Sequence, residues 1–228
     1  MRIFKNLDEM YREVEREVIH SGLISQSSSV QDLKVNENDD YRMKELIGYS
    51  FLVKDTSEKN SWLLSLGKNL EWALTEFQER ISDSINPGVA YQFRSDYWDQ
   101  FLHNGVFSYT YSERLGMQID GVIKLLKENQ NTRQAVLPIY NSLLDNHRRG
   151  GEQRVPCSMY YQLMNRNEKL DIIYVMRSND FYEHLPYDIW LAAELQEYIA
   201  SKLEVTQGDL IYFSGSLHAF KKNNKDIF

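Results

Sequence analysis

Cysteine occurs once in the sequence, at position 157. A single thiol excludes an internal disulfide and any zinc site built on several cysteines, and it fits a reducing compartment. The expectation is therefore a cytoplasmic protein. Long apolar runs are also missing; none approaches the ~18 residues a membrane-spanning helix needs. The amino-terminal stretch "MRIFKNLDEMYREVEREV" is charged throughout, unlike a signal peptide. Basic residues are outnumbered, 26 against 33 acidic, for a net charge of -7. That balance gives no support to a general nucleic-acid binder, which needs a basic face. The five histidines (20, 103, 147, 184 and 218) show no metal-ligand spacing, so no metal is expected. No glycine-rich phosphate loop appears either, because "RRGGEQ" lacks the strand–loop–helix frame such loops require. Internal repeats and long low-complexity linkers are absent.

What is present reads as globular. Apolar residues make up 42% of the 228 and aromatics 13%, enough for a sizeable core and one domain over residues 1–228. Leu7, Met10, Val14 and Val18 recur at helical spacing, which predicts an amphipathic helix over 6–21. Residues 61–82 read as a second helix, "MQIDGVIKLLKEN" as a third and "YDIWLAAELQEYIASKL" as a long fourth. "NPG" at 86–88 marks a turn. Strands are expected at "MKELIGYSFLV", "QAVLPIY", "CSMYYQLMN", "EKLDIIYVMR" and "GDLIYFSGSLHAF"; "SQSSSVQDLKVNENDD" and "RRGGEQR" read as loops. Helices and strands mix without strict alternation, which predicts an α+β fold with a mixed sheet packed against helices.

Individual residues carry two meanings each. Cys157 is either a small buried apolar residue or a nucleophile whose thiolate is favoured by Arg148, Arg149 and Arg154 nearby. Its surroundings lack the local signature of papain-like hydrolases. His218 could equally be a satisfied core histidine or a ligand. Glu76 is by default a solvated helix face, and Asp188, at an apparent helix start, a helix cap.

Order and spacing link these positions. "VPCSMYYQLM", "MRSND", "HLPYDI" and "GDLIYFSGSLHAF" together resemble the signature of the thymidylate synthase superfamily, which includes cytidylate and deoxycytidylate 5-hydroxymethylases. The resemblance runs from about Trp72 to Phe220. Cys157 lies 20 residues before Arg177, Arg177 11 before Asp188, and Glu76 22 before Trp98, which favours Glu76 over Glu71 or Glu79. The resemblance implies a sheet-mediated homodimer acting on a pyrimidine nucleoside monophosphate, with 5,10-methylenetetrahydrofolate as co-substrate. Cys157 would add to C6 of the ring and make C5 the nucleophile. Glu76 would organise water and proton transfers, and Tyr109 would lie near the reacting carbon. Arg177 and Ser178 would hold the 5'-phosphate, joined across the dimer by Arg133 of the other subunit. His218 would contact the ribose, and Trp98 and Asp180 the folate.

Asp188 occupies the base-reading position, where thymidylate synthases carry asparagine. An amide suits uracil, with its acceptor at O4 and donor at N3. Cytosine reverses the pair. A carboxyl group, protonated or matched by a protonated N3, satisfies it, and a mismatch costs about 1–3 kcal/mol. The implied activity is cytidylate C5 hydroxymethylation, finished by addition of water. The alternatives are a dUMP or UMP C5 methyltransferase and a catalytically silent nucleotide-binding homologue. Four departures from the family pattern stand out. Phe220 replaces a tyrosine, Gln134 an arginine and His184 a glycine, and "SQSSSVQ" holds no arginine. The chain also runs only eight residues beyond Phe220, where the family continues.

Overall fold

A computed structural model describes residues 1–26, 39–82, 84–145 and 154–224. Most of the "SQSSSVQDLKVNENDD" and "RRGGEQR" loops lies outside these residues. The architecture is α+β, as expected: one mixed sheet with helices packed on it.

The chain opens with β1 (Arg2–Asn6), and Asn6 then caps α1 (Leu7–Ser21) by accepting from the Glu9 amide at 3.0 Å. Leu7, Met10, Val14 and Val18 are the buried stripe of α1, the spacing seen in the sequence. Next come β2 (Leu23–Gln26), β3 (Arg42–Asp55), α2 (Lys59–Ser65) and α3 (Leu70–Arg80). The single helix expected over 61–82 is thus two. Gly67, at φ +67°, turns the backbone left-handed between them, and Asn69 restarts the helix by capping Trp72 N at 2.9 Å. Short turns and α4 (Ser95–Trp98) lead to α5 (Tyr111–Glu128), then β4 (Val136–Pro138) and α6 (Ser142–Asp145). Finally β5 (Ser158–Arg166) and β6 (Lys169–Asp180) form a hairpin, and α7 (Leu185–Leu203) crosses over to β7 (Thr206–Phe220).

The sheet order is β1-β3-β7-β6-β5-β4, with β2 also paired to β3. Strands β6 and β7 are parallel because α7 returns the chain to the starting edge. Helix α7 is apolar nearly all round; Ile189, Trp190, Ala192, Ala193 and Ile199 are fully buried, as befits a helix at the centre of the core. Buried residues alternate along β5 and β6, facing the helices. Their neighbours Tyr160, Gln162, Ile173 and Val175, with Ile211 and Phe213 on β7, stay partly exposed on the other face.

Strand β6 runs three residues past the expected end, so "SND" belongs to the sheet. These polar residues stay in register with Ser216, Leu217 and His218 of β7. Gly215 lies against this stretch, and a Cβ there would come within 2.8 Å of the Arg177 carbonyl oxygen.

Candidate active site

The carboxyl ends of parallel β6 and β7, together with the residues entering β5, open into a cavity of about 750 Å³. Glu76, Trp98, Tyr109, Cys157, Arg177, Ser178, Asp180, Asp188 and His218 all line it. Cys157 and Asp188 therefore share one cleft. Arg133 does not reach it; the residue is exposed before β4, where its carbonyl accepts from Gln162 Nε2 at 2.9 Å.

The thiol is set by strand pairing. The Arg177 amide donates to the Cys157 carbonyl at 2.8 Å. The Arg177 guanidinium then folds back on the preceding chain, donating through Nε to the Pro156 carbonyl at 2.9 Å and through Nη2 to that of Val155 at 3.2 Å. Nη2 is 3.6 Å from Cys157 Sγ. A charged group restrained at two carbonyls loses little freedom on meeting an anion.

Close to the thiol is a wall of linked hydroxyls. Tyr111 Oη meets Ser158 Oγ at 3.1 Å, Ser158 Oγ meets Tyr174 Oη at 2.5 Å, and Tyr174 Oη donates to Asp188 Oδ1 at 3.4 Å. Asp188 is the fourth residue of α7, not its cap; His184 holds the cap position without a side-chain bond. Burial pushes the Asp188 carboxyl up to about 7, against the opposing pull of Arg80, Asn179 and Tyr174. Arg80 is itself buried: Nε donates to Glu76 Oε1 at 2.8 Å and its guanidinium lies 3.9 Å from the Tyr111 ring centroid. Its Nη1 is buried with no hydrogen-bond partner among the described residues. Glu79, one turn away, is committed elsewhere, accepting from the Val89 and Ala90 amides. Tyr109 is buried near Arg154, Cys157 and Arg177, and burial raises its hydroxyl above the ordinary tyrosine value.

At another wall, Glu45 of β3 stands opposite His218 of β7 in antiparallel register. Ser216 Oγ bonds Glu45 Oε1 and lies 3.3 Å from His218 Nδ1. Burial lowers His218 to about 4, opposed by Glu45, so the ring is neutral at pH 7. Phe220 packs edge-on to His218.

The mouth is aromatic and cationic. Arg154 lies 4.0 Å from the Trp98 ring centroid and 5.0 Å from that of Phe101. His184 lines the cavity and is pushed down to about 3, first by burial and then by Arg94 and Arg154. Asp180 Oδ1 accepts from the Tyr182 and Glu183 amides at 3.0 and 3.1 Å, yet burial raises its carboxyl to about 6.

Sequence comparison agrees with this architecture. Residues 26–227 match the thymidylate synthase family model, and the chain belongs to that family. A thymidylate synthase of Pseudomonas fluorescens is 23% identical over 96% of this chain and 82% of its own length. A Methanocaldococcus jannaschii protein described as "Putative thymidylate synthase" is 31% identical over 54% of this chain and 56% of its own. A deoxyuridylate hydroxymethyltransferase of Bacillus phage SP01 is 31% identical over 53% of this chain and 36% of its own. The alignment thus spans about half the length of the archaeal relative. Members of the family are one-carbon transferases that use methylenetetrahydrofolate and a nucleoside monophosphate.

Several cavity residues went unread in the sequence. Arg80 looks like one more charged residue near a helix end; only its i,i+4 spacing from Glu76 hinted at a pair. Glu45 stands in a strand whose burial alternation is irregular, which hid the direction of its side chain.

Proposed function

We propose that the chain is a folate-dependent cytidylate 5-hydroxymethylase, a single domain that acts as a homodimer. The observation that carries this is the Asp188 carboxyl, buried in the cleft that also holds Cys157 and raised to about 7. Near neutrality such a group exists in both forms. Protonated, it donates to cytosine N3 and accepts from the 4-amino group; ionised, it accepts from the amino group and pairs with a protonated N3. Either way the complex contains one shared proton. Uracil, with a donor at N3 and an acceptor at O4, is matched by the protonated form alone; the ionised carboxylate can only accept, which leaves O4 without a donor.

The Cys157 sulfur attacks C6, and the electron pair moves to C5. Arg177 holds the 5'-phosphate with Ser178, while its Nη2 remains beside the sulfur. Glu76, oriented by Arg80, holds the water that carries protons to and from the ring, and Tyr109 borders the reacting carbon. His218 bonds a sugar hydroxyl. Methylenetetrahydrofolate supplies a one-carbon unit at the oxidation level of formaldehyde. The mouth suits its flat ring system, with Trp98 offering a face and Asp180 Oδ2 an acceptor for ring N–H groups. Water, the nucleotide and the one-carbon donor together give the hydroxymethyl nucleotide and tetrahydrofolate, with no hydride transferred. The named activity of the phage SP01 relative supports water as the final nucleophile. The partly exposed apolar residues Ile173, Val175, Ile211 and Phe213 supply a face for a second subunit. Arg133 lies at the edge of that face, tied to Gln162, where it can serve the partner's phosphate.

The test is incubation with C5-tritiated CMP, dCMP and dUMP plus methylenetetrahydrofolate. Tritium release from cytidylates with a hydroxymethyl product is expected. Release from dUMP with formation of dihydrofolate would overturn the proposal in favour of methylation.

A further inference from the structure

Glu45, Ser216 and His218 form a hydrogen-bond chain whose polarity can be worked out. Ser216 has one hydroxyl proton, and a carboxylate can only accept. Because Ser216 Oγ bonds Glu45 Oε1, that proton is directed to Glu45. The serine oxygen must then act as acceptor toward His218 Nδ1, 3.3 Å away. This fixes the proton of the neutral ring on Nδ1 and leaves Nε2 bare. No described group is recorded as bonding Nε2. Among the described residues, Glu45 Oε2 receives a single long contact, from Ser25 Oγ at 3.4 Å. Two acceptors therefore remain on one wall of the cavity, an imidazole nitrogen and a carboxylate oxygen. They project from directly opposed residues of an antiparallel pair, whose side chains stand roughly 5 Å apart.

Two adjacent acceptors call for two adjacent hydroxyl donors. We infer that Glu45 is a sugar-reading residue and that the substrate is a ribonucleotide, whose vicinal 2'- and 3'-hydroxyls donate to Glu45 and His218. This inference rests on the cavity being the nucleotide site proposed above. A 2'-deoxy sugar offers one hydroxyl here and leaves Glu45 Oε2 with no more than the long Ser25 contact. The loss of a hydrogen bond to a charged group amounts to roughly 10- to 100-fold in affinity. Phe220 fits the same scheme. A tyrosine at that position would bring a hydroxyl of its own beside His218, whereas the phenyl edge leaves both acceptors to the sugar.

The experiment measures binding of CMP, dCMP and 2'-fluoro-2'-deoxy-CMP by calorimetry, and tritium release from the first two. The subjects are wild type, Glu45→Ala and Glu45→Gln. The expectation is that wild type favours CMP over dCMP by roughly 10- to 100-fold in affinity and in kcat/KM. The fluoro sugar, of similar size but lacking a donor, should behave as dCMP does. In Glu45→Ala the ratio should fall to about threefold or less, with Glu45→Gln in between because its amide oxygen still accepts. Equal or stronger handling of dCMP by wild type would overturn the inference, as would full discrimination retained in Glu45→Ala or tight binding of the fluoro sugar. Turnover and binding separate the two claims. If neither nucleotide releases tritium, the proposed reaction fails while the calorimetric ratio still judges the sugar reader. If no nucleotide binds, both fail.

Discussion

The two ends of the cavity are built differently. The inner wall joins Asp188, Tyr174, Ser158 and Tyr111 by hydroxyl bonds, with Arg80 and Glu76 paired alongside. It is largely buried, and each member restrains the next. The mouth consists of Trp98 and Phe101, tilted against each other, with the Arg154 guanidinium close to both rings. Buried polar groups are costly unless matched, so the inner wall discriminates between ligands that differ by a proton or an amino group. Aromatic rings and a guanidinium tolerate any flat partner. On the proposed function, selectivity belongs to the inner wall and general affinity to the mouth.

The sharpest test of that division is Cys157→Ser. Turnover should fall roughly 10⁴-fold or more, with nucleotide affinity nearly unchanged. An equal loss of binding would mean that the thiol shapes the wall and is no nucleophile. Next is Arg80→Met, which leaves the half-buried Glu76 without its cation and should cost about 1–3 kcal/mol in urea unfolding. The double variant with Glu76→Gln should recover much of that loss; no recovery would show that the pair does not act as a unit.

Asp188→Asn should move base preference toward uridylates by roughly tenfold, read as the ratio of kcat/KM for dUMP and dCMP. A ratio unaltered by the change would remove Asp188 as the base reader. The same variant sharpens a pH argument. The folded-state value, about 7, is raised above the ordinary 3.8, so the folded protein binds more protons than the unfolded chain between these values. The contribution of Asp188 to stability is therefore fully present at low pH and is lost as pH rises through this window. His218, lowered to about 4, acts in the opposite sense. Relative to wild type, Asp188→Asn should gain stability from pH 5 to pH 8. CMP binding to wild type should weaken about tenfold per pH unit above 7, one proton being lost, and the variant should lose that slope. The smallest effect is expected at the mouth, where Arg154→Ala should weaken folate binding by roughly three- to tenfold without altering base preference.

Much of the fold was legible because burial and spacing agree. The stripe on α1, the largely apolar α7 and the alternation in β5 each announce their environment. The failures have local causes. Strands β1 and β2, of five and four residues, are too short to show a period. Helix α5 starts six residues before the expected Met117, because Thr110 and Glu113 close a capping box that the apolar pattern does not reveal. In the cavity, residues tied to one another by spacing (Cys157, Arg177, Asp188) were read from the sequence, whereas Glu45, which sheet register brings opposite His218, was not. Registers across distant strands are set by the whole sheet, so no local window of sequence contains them.

Gly215 has no side chain, yet it bears on chemistry it never touches. The Arg177 carbonyl stands where a methyl group would go, so even alanine there would lever strand β6 outward and carry its guanidinium off the sulfur. A conservative replacement on the neighbouring strand would then look, in an activity screen, like damage to the nucleophile.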